Sequence, residues 1–173
     1  MNVSFLQSEA FNRAEASLAI YRAARSELKD LGVLRSERTV QSDYGEWLVS
    51  NLLGLELATS GVQAGYDAVD TNGWTYQIKT RLVGSLTEPT SFDLRGLDHS
   101  FDFLIGVLLS RSDSRLLAIV KVAHDAVRTR AKLYRSRLSL RWKRNCWEAD
   151  WVEVLYKAPP LVSETERKKK RGD

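Results

Sequence analysis

Residues 65–81 read GYDAVDTNGWTYQIKTR, and we expect the rest of the chain to be arranged around this segment. Its two halves are rich in aromatic and β-branched residues and are separated by Asn72-Gly73, the strongest short-range signal for a β-hairpin. On the second half, apolar and polar residues alternate, which is typical of a strand with one buried face. The polar face carries Gln77 and Lys79, and Asp67 lies on the first half. We therefore expect chemistry on the polar face of this hairpin.

The length of the hairpin loop decides which acid shares the face of Lys79. A two-residue loop at Asn72-Gly73 places Asp70 on that face, whereas a three-residue loop over residues 71–73 places Asp67 there. Both loops suit the sequence. Spacing alone therefore leaves Asp67 and Asp70 as competing ligands.

One known family has this arrangement of residues. Asp67, followed ten residues later by Gln77-Ile78-Lys79 and preceded by Glu46 on a predicted helix, resembles the catalytic core of the PD-(D/E)XK nuclease superfamily, also called restriction endonuclease-like. The likeness implies that Glu46, Asp67, Gln77 and the backbone carbonyl of Ile78 hold Mg²⁺ or Mn²⁺. It also implies that Lys79 positions or activates the attacking water.

The chain departs from the common pattern of that superfamily at one position. Most members have Asp or Glu where this chain has Gln77, and a Gln there is similar to the Mrr-type restriction enzymes. The resemblance covers residues 42–122. It favours the three-residue loop with positive φ at Gly73, because that loop places Asp67 beside Gln77.

The resemblance implies an α/β fold with a restriction endonuclease-like core, in which a central mixed sheet of four to five strands is flanked by helices. The implied function is Mg²⁺-dependent endonuclease cleavage of DNA, of the restriction or anti-phage type, with RNA left open as a substrate. Cutting both strands of a duplex calls for a homodimer or a nicking partner. Two alternatives remain: a weak or inactive nuclease fold that binds nucleic acid or serves as an assembly subunit, which Gln77 favours, and an unrelated α/β protein.

Length and composition fit a single domain. The chain has 173 residues, of which 43% are hydrophobic and 28% charged. These values suit one globular domain with a real core. No run of 18 apolar residues and no secretion signal are present, so we expect a cytoplasmic protein without a membrane partner. We predict a domain over residues 1–157, with a helix at 6–31, the catalytic core at 42–122, and a basic helix and last strand at 124–157, followed by a disordered basic tail at 158–173.

Cysteine and histidine are too scarce for a zinc site. The chain has one cysteine, Cys146, and two histidines, His99 and His124. These residues cannot assemble a Cys/His cluster. A bound metal would therefore be a hard ion on oxygen ligands.

Positive charge is concentrated in one segment. The net charge is +4, but residues 126–147 contain no acid and eight bases, and five more bases lie at residues 167–171. A solvated face is the ordinary explanation for such a run, but this density favours a phosphate-binding surface. The predicted nucleic-acid-binding residues are Arg81, Arg128, Arg130, Lys132, Arg135, Arg137, Arg141, Lys143 and Arg144.

Several candidate residues also have a structural interpretation. If Asp43 caps the second helix, Glu46 completes a capping box and has a satisfied structural role. Asp102 is expected to be a solvated or capping carboxylate at a strand edge, and a supporting role near the metal is the alternative. We expect Trp142 in the core rather than stacked on a base. On the predicted basic helix, which begins at His124, Val127, Leu133 and Tyr134 should face inward.

Overall fold

The computed structural model describes residues 2–30, 40–58, 65–94, 101–134 and 137–159. Residues 160–173, most of the predicted tail, lie outside them. No helix in the described ranges has the length and apolar character needed to cross a membrane. The helices are α1 (Glu9–Asp30), α2 (Val40–Leu53) and α3 (His124–Arg130), and 3-10 turns cover Val3–Gln7 and Arg144–Glu148. The strands are β1 (Glu56–Leu57), β2 (Ala68–Val69), β3 (Thr75–Val83), β4 (Thr90–Leu94), β5 (Phe103–Ser110), β6 (Leu116–Ala123), β7 (Lys132–Tyr134), β8 (Arg137–Trp142) and β9 (Glu153–Lys157).

Six of these strands form a mixed central sheet in the order β1-β2-β3-β5-β6-β9. β3 and β5 run parallel, and the other neighbouring strands are antiparallel. The predicted α/β class and mixed sheet are confirmed. The predicted count of four to five strands is wrong, because the two-residue strand β1 and the C-terminal strand β9 extend the sheet at its two edges.

Helices α1 and α2 cover one face of the central sheet. Leu48 and Leu52 of α2 pack in one buried cluster with Ile78 of β3 and Ile105 of β5. The fully buried Leu48 and Leu52 lie four residues apart, so they fall on the same side of the helix. Burial of this apolar surface holds α2 against β3.

A second sheet, of three antiparallel strands in the order β4-β8-β7, covers the other face of the central sheet. Phe92 of β4 and Trp142 of β8 are fully buried against Leu104 and Leu108 of β5. We call this three-stranded element the small sheet. Because successive side chains of a strand point to opposite faces, β3 presents Tyr76 and Ile78 to the helices and the polar candidate residues to the side of the small sheet.

The small sheet corrects two sequence predictions. Residues 83–100, in which Gly84, Pro89 and Gly96 predict a loop, instead contain β4. The predicted basic helix of region 124–157 is wrong: α3 ends at Arg130, and the chain continues as β7 and β8. The reason is the alternation of Leu138, Leu140 and Trp142 with polar residues, a period of two that buries one face of a strand.

Leu133 and Tyr134 differ most from expectation. Both were predicted to face inward on a helix, but both lie on β7 with exposed fractions of 74% and 57%. Val127 is fully buried, as predicted, and so is Trp142. The N-terminal helix predicted over residues 6–31 is a 3-10 turn followed by α1.

Gly45 sets the distance between α2 and β3. A Cβ atom at this position would overlap Thr80 Oγ1 and lie 3.1 Å from Thr80 Cβ. The Thr80 hydroxyl is buried and has no hydrogen-bond partner among the described residues. Gly45 therefore permits α2 to lie close to β3, and any larger residue would push the helix and the strand apart.

We predict that Gly45→Ala lowers the free energy of unfolding. Overpacking typically costs about 1–3 kcal/mol, whereas replacing a helical glycine with alanine gains only about 1 kcal/mol. Thermal or denaturant unfolding measures the net effect. The double variant Gly45→Ala/Thr80→Ala removes the overlapping hydroxyl and should recover most of the loss. A Gly45→Ala protein as stable as the wild type would contradict the close approach.

Candidate active site and cationic surface

The β2–β3 hairpin has the predicted three-residue loop. Asp70 N–H donates to Trp74 O at 3.0 Å, and Gly73 N–H donates to Asp70 O at 3.0 Å. Gly73 has φ of 83°, a conformation that glycine adopts without steric cost. Ala68 pairs with Tyr76, so the next positions outward, Asp67 and Gln77, lie opposite each other.

Asp70, the competing ligand, is on the other face. Its carboxylate accepts hydrogen bonds from the N–H groups of Asn72 and Trp74, both at 2.9 Å, and from the Tyr76 hydroxyl at 3.1 Å. These bonds hold the turn together. Asp67, and not Asp70, is therefore the acid that shares the face of Gln77 and Lys79.

Asp67 is the centre of the candidate site. Its Oδ2 atom accepts hydrogen bonds from Gln77 Nε2 and from Ile78 N–H, the latter at 2.7 Å, and lies 3.7 Å from Lys79 Nζ. The side chain of Asp67 is 14% exposed and that of Lys79 is 25% exposed. Asp67, Gln77 and Lys79 are therefore brought together, as predicted.

The backbone of Ile78 also faces this site. In a β-strand the N–H and C=O of one residue point to the same side. Because Ile78 N–H donates to Asp67, the Ile78 carbonyl is directed to the same side of β3. It is the carbonyl that the sequence predicted as a metal ligand.

Packing of the small sheet explains why Lys79 is half-buried. Lys79 pairs across the sheet with Gly106, and a Cβ atom at position 106 would lie only 2.8 Å from Phe92 Cε2. The missing side chain lets the Phe92 ring lie against β5 beside Lys79. This burial lowers the pKa of Lys79; the nearby Asp67 and Glu46 carboxylates oppose the shift, and Arg81 adds to it.

Glu46 joins the site from α2. Burial raises its pKa, and the negative charges of Asp67 and Asp43 raise it further, while Lys79 lowers it. The capping-box interpretation is wrong, because α2 is already helical from Val40 and Asp43 lies inside the first turn rather than before it. Glu46 is thus a half-buried carboxylate whose charge interacts with the charges of Asp67 and Lys79.

The donor atoms suit a hard cation. Glu46 and Asp67 offer carboxylate oxygens, Ile78 a carbonyl and Gln77 an amide oxygen, which are ligands that Mg²⁺ accepts. In the described part of the chain, no group of three His, Cys, Asp or Glu side chains is placed to hold a metal. Gln77 presents its amide N–H to Asp67. An amide rotation that exchanges its oxygen and nitrogen would therefore be needed before Gln77 could share a cation with Asp67.

Asp102 has the structural role expected of it. Its Oδ2 accepts hydrogen bonds from both the N–H and the hydroxyl of Thr75, each at 2.8 Å, and its carbonyl accepts one from His124 N–H, also at 2.8 Å. The carboxylate fixes the start of β3. Its hydrogen bonds go to Thr75, and it is not part of the candidate site.

Arg81 was predicted to bind nucleic acid, but it is engaged within the protein. Its Nε donates to Ser91 O at 2.6 Å, and its guanidinium pairs with Asp93 at 3.0 Å. Arg81 lies on the same face of β3 as Lys79, two residues away. Its role is to join the central sheet to the small sheet next to the candidate site.

The other predicted basic residues are spread over several elements. Arg137, Arg141 and Lys143 line one groove of the small sheet, and Arg130, Lys132, Arg141 and Lys143 line a second. Arg128 on α3 and Arg144 on a 3-10 turn line neither of these grooves, and Arg135 lies outside the described residues.

Sequence reasoning missed two kinds of residue here. Gly45 and Gly106 set the close approaches around the site, and no local pattern indicates that role. Asp93 accepts a hydrogen bond from the buried Ser139 hydroxyl within the small sheet, and no local pattern indicates this pair. The alternation in residues 137–142 is the signal that could have identified β8.

We predict that Glu46→Gln stabilises the protein in a pH-dependent way. The folded-state pKa of Glu46 is raised above its ordinary value of 4.5, so the unfolded chain ionises first and stability is lost as pH rises through the folded pKa. The variant cannot ionise and avoids this loss. Its melting temperature should exceed that of the wild type at about pH 8 and match it at about pH 4.

The exposed Glu56 on β1 provides the control for this measurement. Glu56→Gln, measured at the same two pH values, controls for the loss of a surface carboxylate. A Glu46→Gln protein with no gain at the higher pH would contradict the burial of an ionised Glu46.

A scan of the sequence against protein-family models matches no family. A search of curated proteins likewise finds no match. What this site can do therefore follows from the positions, burial and charges of its own residues.

Proposed function

We propose that this protein is a divalent-metal-dependent endonuclease that hydrolyses phosphodiester bonds of DNA. The observation that carries the proposal is the placement of Asp67 opposite Gln77 and next to Lys79, which the three-residue hairpin loop produces. The half-buried Glu46 supplies a second carboxylate whose charge interacts with both. Glu46, Asp67, Gln77 and Lys79 are also the residues to which the resemblance in the sequence assigns the site.

The carboxylates and the amide would each supply oxygen ligands for the ion. Asp67 and Glu46 contribute two negative charges, and Gln77 and the Ile78 carbonyl contribute neutral oxygens. When bound, a divalent cation lowers the pKa of a coordinated water and offsets charge on the phosphoryl group. A site with Gln in place of an acid is one charge less negative, so it should bind the cation more weakly.

Lys79 is placed to act on the reacting phosphate. A phosphate bound to a cation at Asp67 would lie within reach of the Lys79 ammonium group, which would stabilise charge that develops on the phosphoryl oxygens. The same group would also position the attacking water beside the phosphate.

A second candidate function has one observation in its favour. The Gln77 amide donates to Asp67 Oδ2, the same oxygen that Ile78 N–H contacts and that faces Lys79. Three donors around one carboxylate oxygen give a satisfied polar cluster that needs no metal. A nuclease fold that binds nucleic acid without cutting it would keep this arrangement.

We predict that Asp67→Ala and Lys79→Ala each abolish Mg²⁺-dependent plasmid cleavage while leaving the fold and DNA binding intact. Loss of Asp67 removes an anionic ligand of a hard cation. Loss of Lys79 removes a charge-stabilising group, a change commonly worth about a hundredfold or more in rate. The measurement is cleavage of supercoiled plasmid with and without Mg²⁺.

Lys121 offers a matched control. Its side chain is also 25% exposed and pairs with a carboxylate, that of Glu153, at 3.1 Å. Lys121→Ala should cleave like the wild type. Normal cleavage by the Asp67 and Lys79 variants would refute the assigned site, whereas a wild type that binds DNA but never cuts it would favour the inactive scaffold.

We predict that Gln77→Glu moves half-saturation to a lower Mg²⁺ concentration. The substitution adds a third carboxylate to the site and increases its affinity for a divalent cation. Titration of cleavage rate against Mg²⁺ measures the shift, whatever happens to the maximal rate. An unchanged or higher half-saturation concentration would show that Gln77 does not contact the ion.

A further inference from the structure

A small cavity lies between α1 and the turn that joins β5 to β6. Leu18 of α1 and Ser114 of the turn, which are 8% and 1% exposed, form its buried floor. Tyr21 and Ser26 also line the cavity and are exposed, so it opens to solvent. Its volume is about 60 Å³, whereas a single water needs only about 10–15 Å³. The cavity therefore has room for a small polyatomic group.

The hydroxyl of Ser114 is held at the floor of this cavity at a cost in stability. It is buried and has no hydrogen-bond partner in the part of the chain that the structure describes. Its backbone has φ of 61°, and no other non-glycine residue in the described ranges has a positive φ. Strained backbone of this kind occurs mainly where a side chain has a functional task. Ser114 thus presents an unused donor in an unfavourable conformation.

Arg22 of α1 brings a positive charge to the same cavity. Its Nη2 donates to the carbonyl oxygen of Arg111 at 2.8 Å, which is a neutral acceptor. Its Nε is buried and has no partner among the described residues. None of the ion pairs formed among those residues includes Arg22. Because charged groups removed from water are normally paired, this guanidinium lacks an anion.

The polar groups around the cavity are suited to one kind of anion. Arg22 and Ser114 share it with the Ser26 hydroxyl and with the amide of Gln41 on α2. No carboxylate is among the described residues that line it. Donors that come from two helices and a turn need acceptors that point in several directions. A tetrahedral phosphoryl group offers such oxygens, whereas a carboxylate offers two oxygens in one plane.

This cavity is separate from the candidate active site. In the parallel pair of β3 and β5, Lys79 lies opposite Gly106, and Val83 lies opposite Ser110, at the start of the turn that carries Ser114. Four residues along a strand span about 13 Å. Leu18 belongs to the core cluster on the helix side of the central sheet, whereas the Lys79 side chain is on the side of the small sheet. A ligand in the cavity would therefore not be the group that reacts at Asp67.

We propose that this cavity binds the phosphoryl group of a small molecule, held by the Arg22 guanidinium and the Ser114 hydroxyl. The phosphoryl oxygens would supply the acceptors that both groups lack within the protein. Their negative charge would balance the guanidinium. The inference goes beyond the proposed nuclease and does not rest on it.

Isothermal titration calorimetry with sodium phosphate tests the site directly. The full-length protein is titrated in EDTA at constant ionic strength, with chloride replaced by phosphate. Two or three charge-assisted hydrogen bonds predict saturable binding with a Kd of about 1 mM or lower. A titration without saturable binding would overturn the proposal, because the cavity would then hold water alone.

Variants of arginine show where the phosphate binds. Arg22→Gln removes the charge and should raise the Kd by at least about tenfold. Arg13→Gln is the matched control, since Arg13 is an arginine of the same helix that is 80% exposed and lies outside the cavity. Arg141→Gln tests the groove of the small sheet. Both should bind like the wild type. Binding that is lost in Arg141→Gln and kept in Arg22→Gln would overturn the proposal.

Ser114→Gly separates a binding role from a structural one. Glycine adopts a positive φ without strain, and the variant also removes the unpaired hydroxyl. Its melting temperature without phosphate should therefore exceed that of the wild type. Its Kd for phosphate should rise about tenfold, because one hydrogen bond to the anion is lost. A Ser114→Gly protein that binds phosphate as tightly as the wild type would overturn the proposal.

A comparison of ligands identifies the source of the phosphoryl group. The probes are inorganic phosphate, glycerol 3-phosphate and glycerol. Tighter binding of glycerol 3-phosphate assigns the site to a phosphate ester, and tighter binding of inorganic phosphate assigns it to the free ion. Glycerol that binds as tightly as its phosphate would overturn the proposal, since the phosphoryl group would then contribute nothing.

The two proposals fail in different ways. Phosphate binding that depends on Arg22, in a protein that never cleaves DNA, keeps the phosphate site and removes the nuclease. Cleavage by a wild type that does not bind phosphate keeps the nuclease and removes the phosphate site. Asp67→Ala should bind phosphate like the wild type, because Asp67 does not line the cavity.

Discussion

The register of the β2–β3 hairpin is the constraint on which the candidate site depends. Side chains alternate along a strand, so a loop shorter by one residue would turn Asp67 away from Gln77 and Lys79. Gly73, with φ of 83°, and the Asp70 carboxylate, which accepts two N–H groups of the loop, hold the three-residue form. The loop at residues 71–73 thus determines which side chains share the face of β3 that carries Lys79.

Close packing then places this hairpin in surroundings that perturb its charges. Gly45 lets α2 approach β3 on one side of the sheet, and Gly106 lets Phe92 approach β5 on the other. Burial raises the pKa of Glu46 and lowers the pKa of Lys79, so both groups are less stable in their charged forms than they would be in water. Arrangements that cost stability in this way are characteristic of sites that bind or react.

The local parts of this site could be predicted from sequence, and the non-local parts could not. Asn72-Gly73 and the alternation after it specify the hairpin, since turn chemistry and strand period are local properties. Arg81 was assigned to phosphate, because nothing in the sequence shows that Asp93 of β4 pairs with it. The basic segment was assigned to a helix because its density of arginines obscured the period of two in β8. Tyr134 was therefore expected to face inward on that helix, whereas it is exposed on β7.

We propose that the face shared by Asp67, Gln77 and Lys79 holds a divalent cation. A crystal soaked in Mn²⁺ and measured for anomalous scattering tests it most directly. We expect one ion bound by Asp67, with Glu46 nearby and the Gln77 amide rotated so that its oxygen faces the metal. A soaked crystal with no anomalous peak at Asp67, and with the Gln77 amide N–H still donating to that carboxylate, would contradict it.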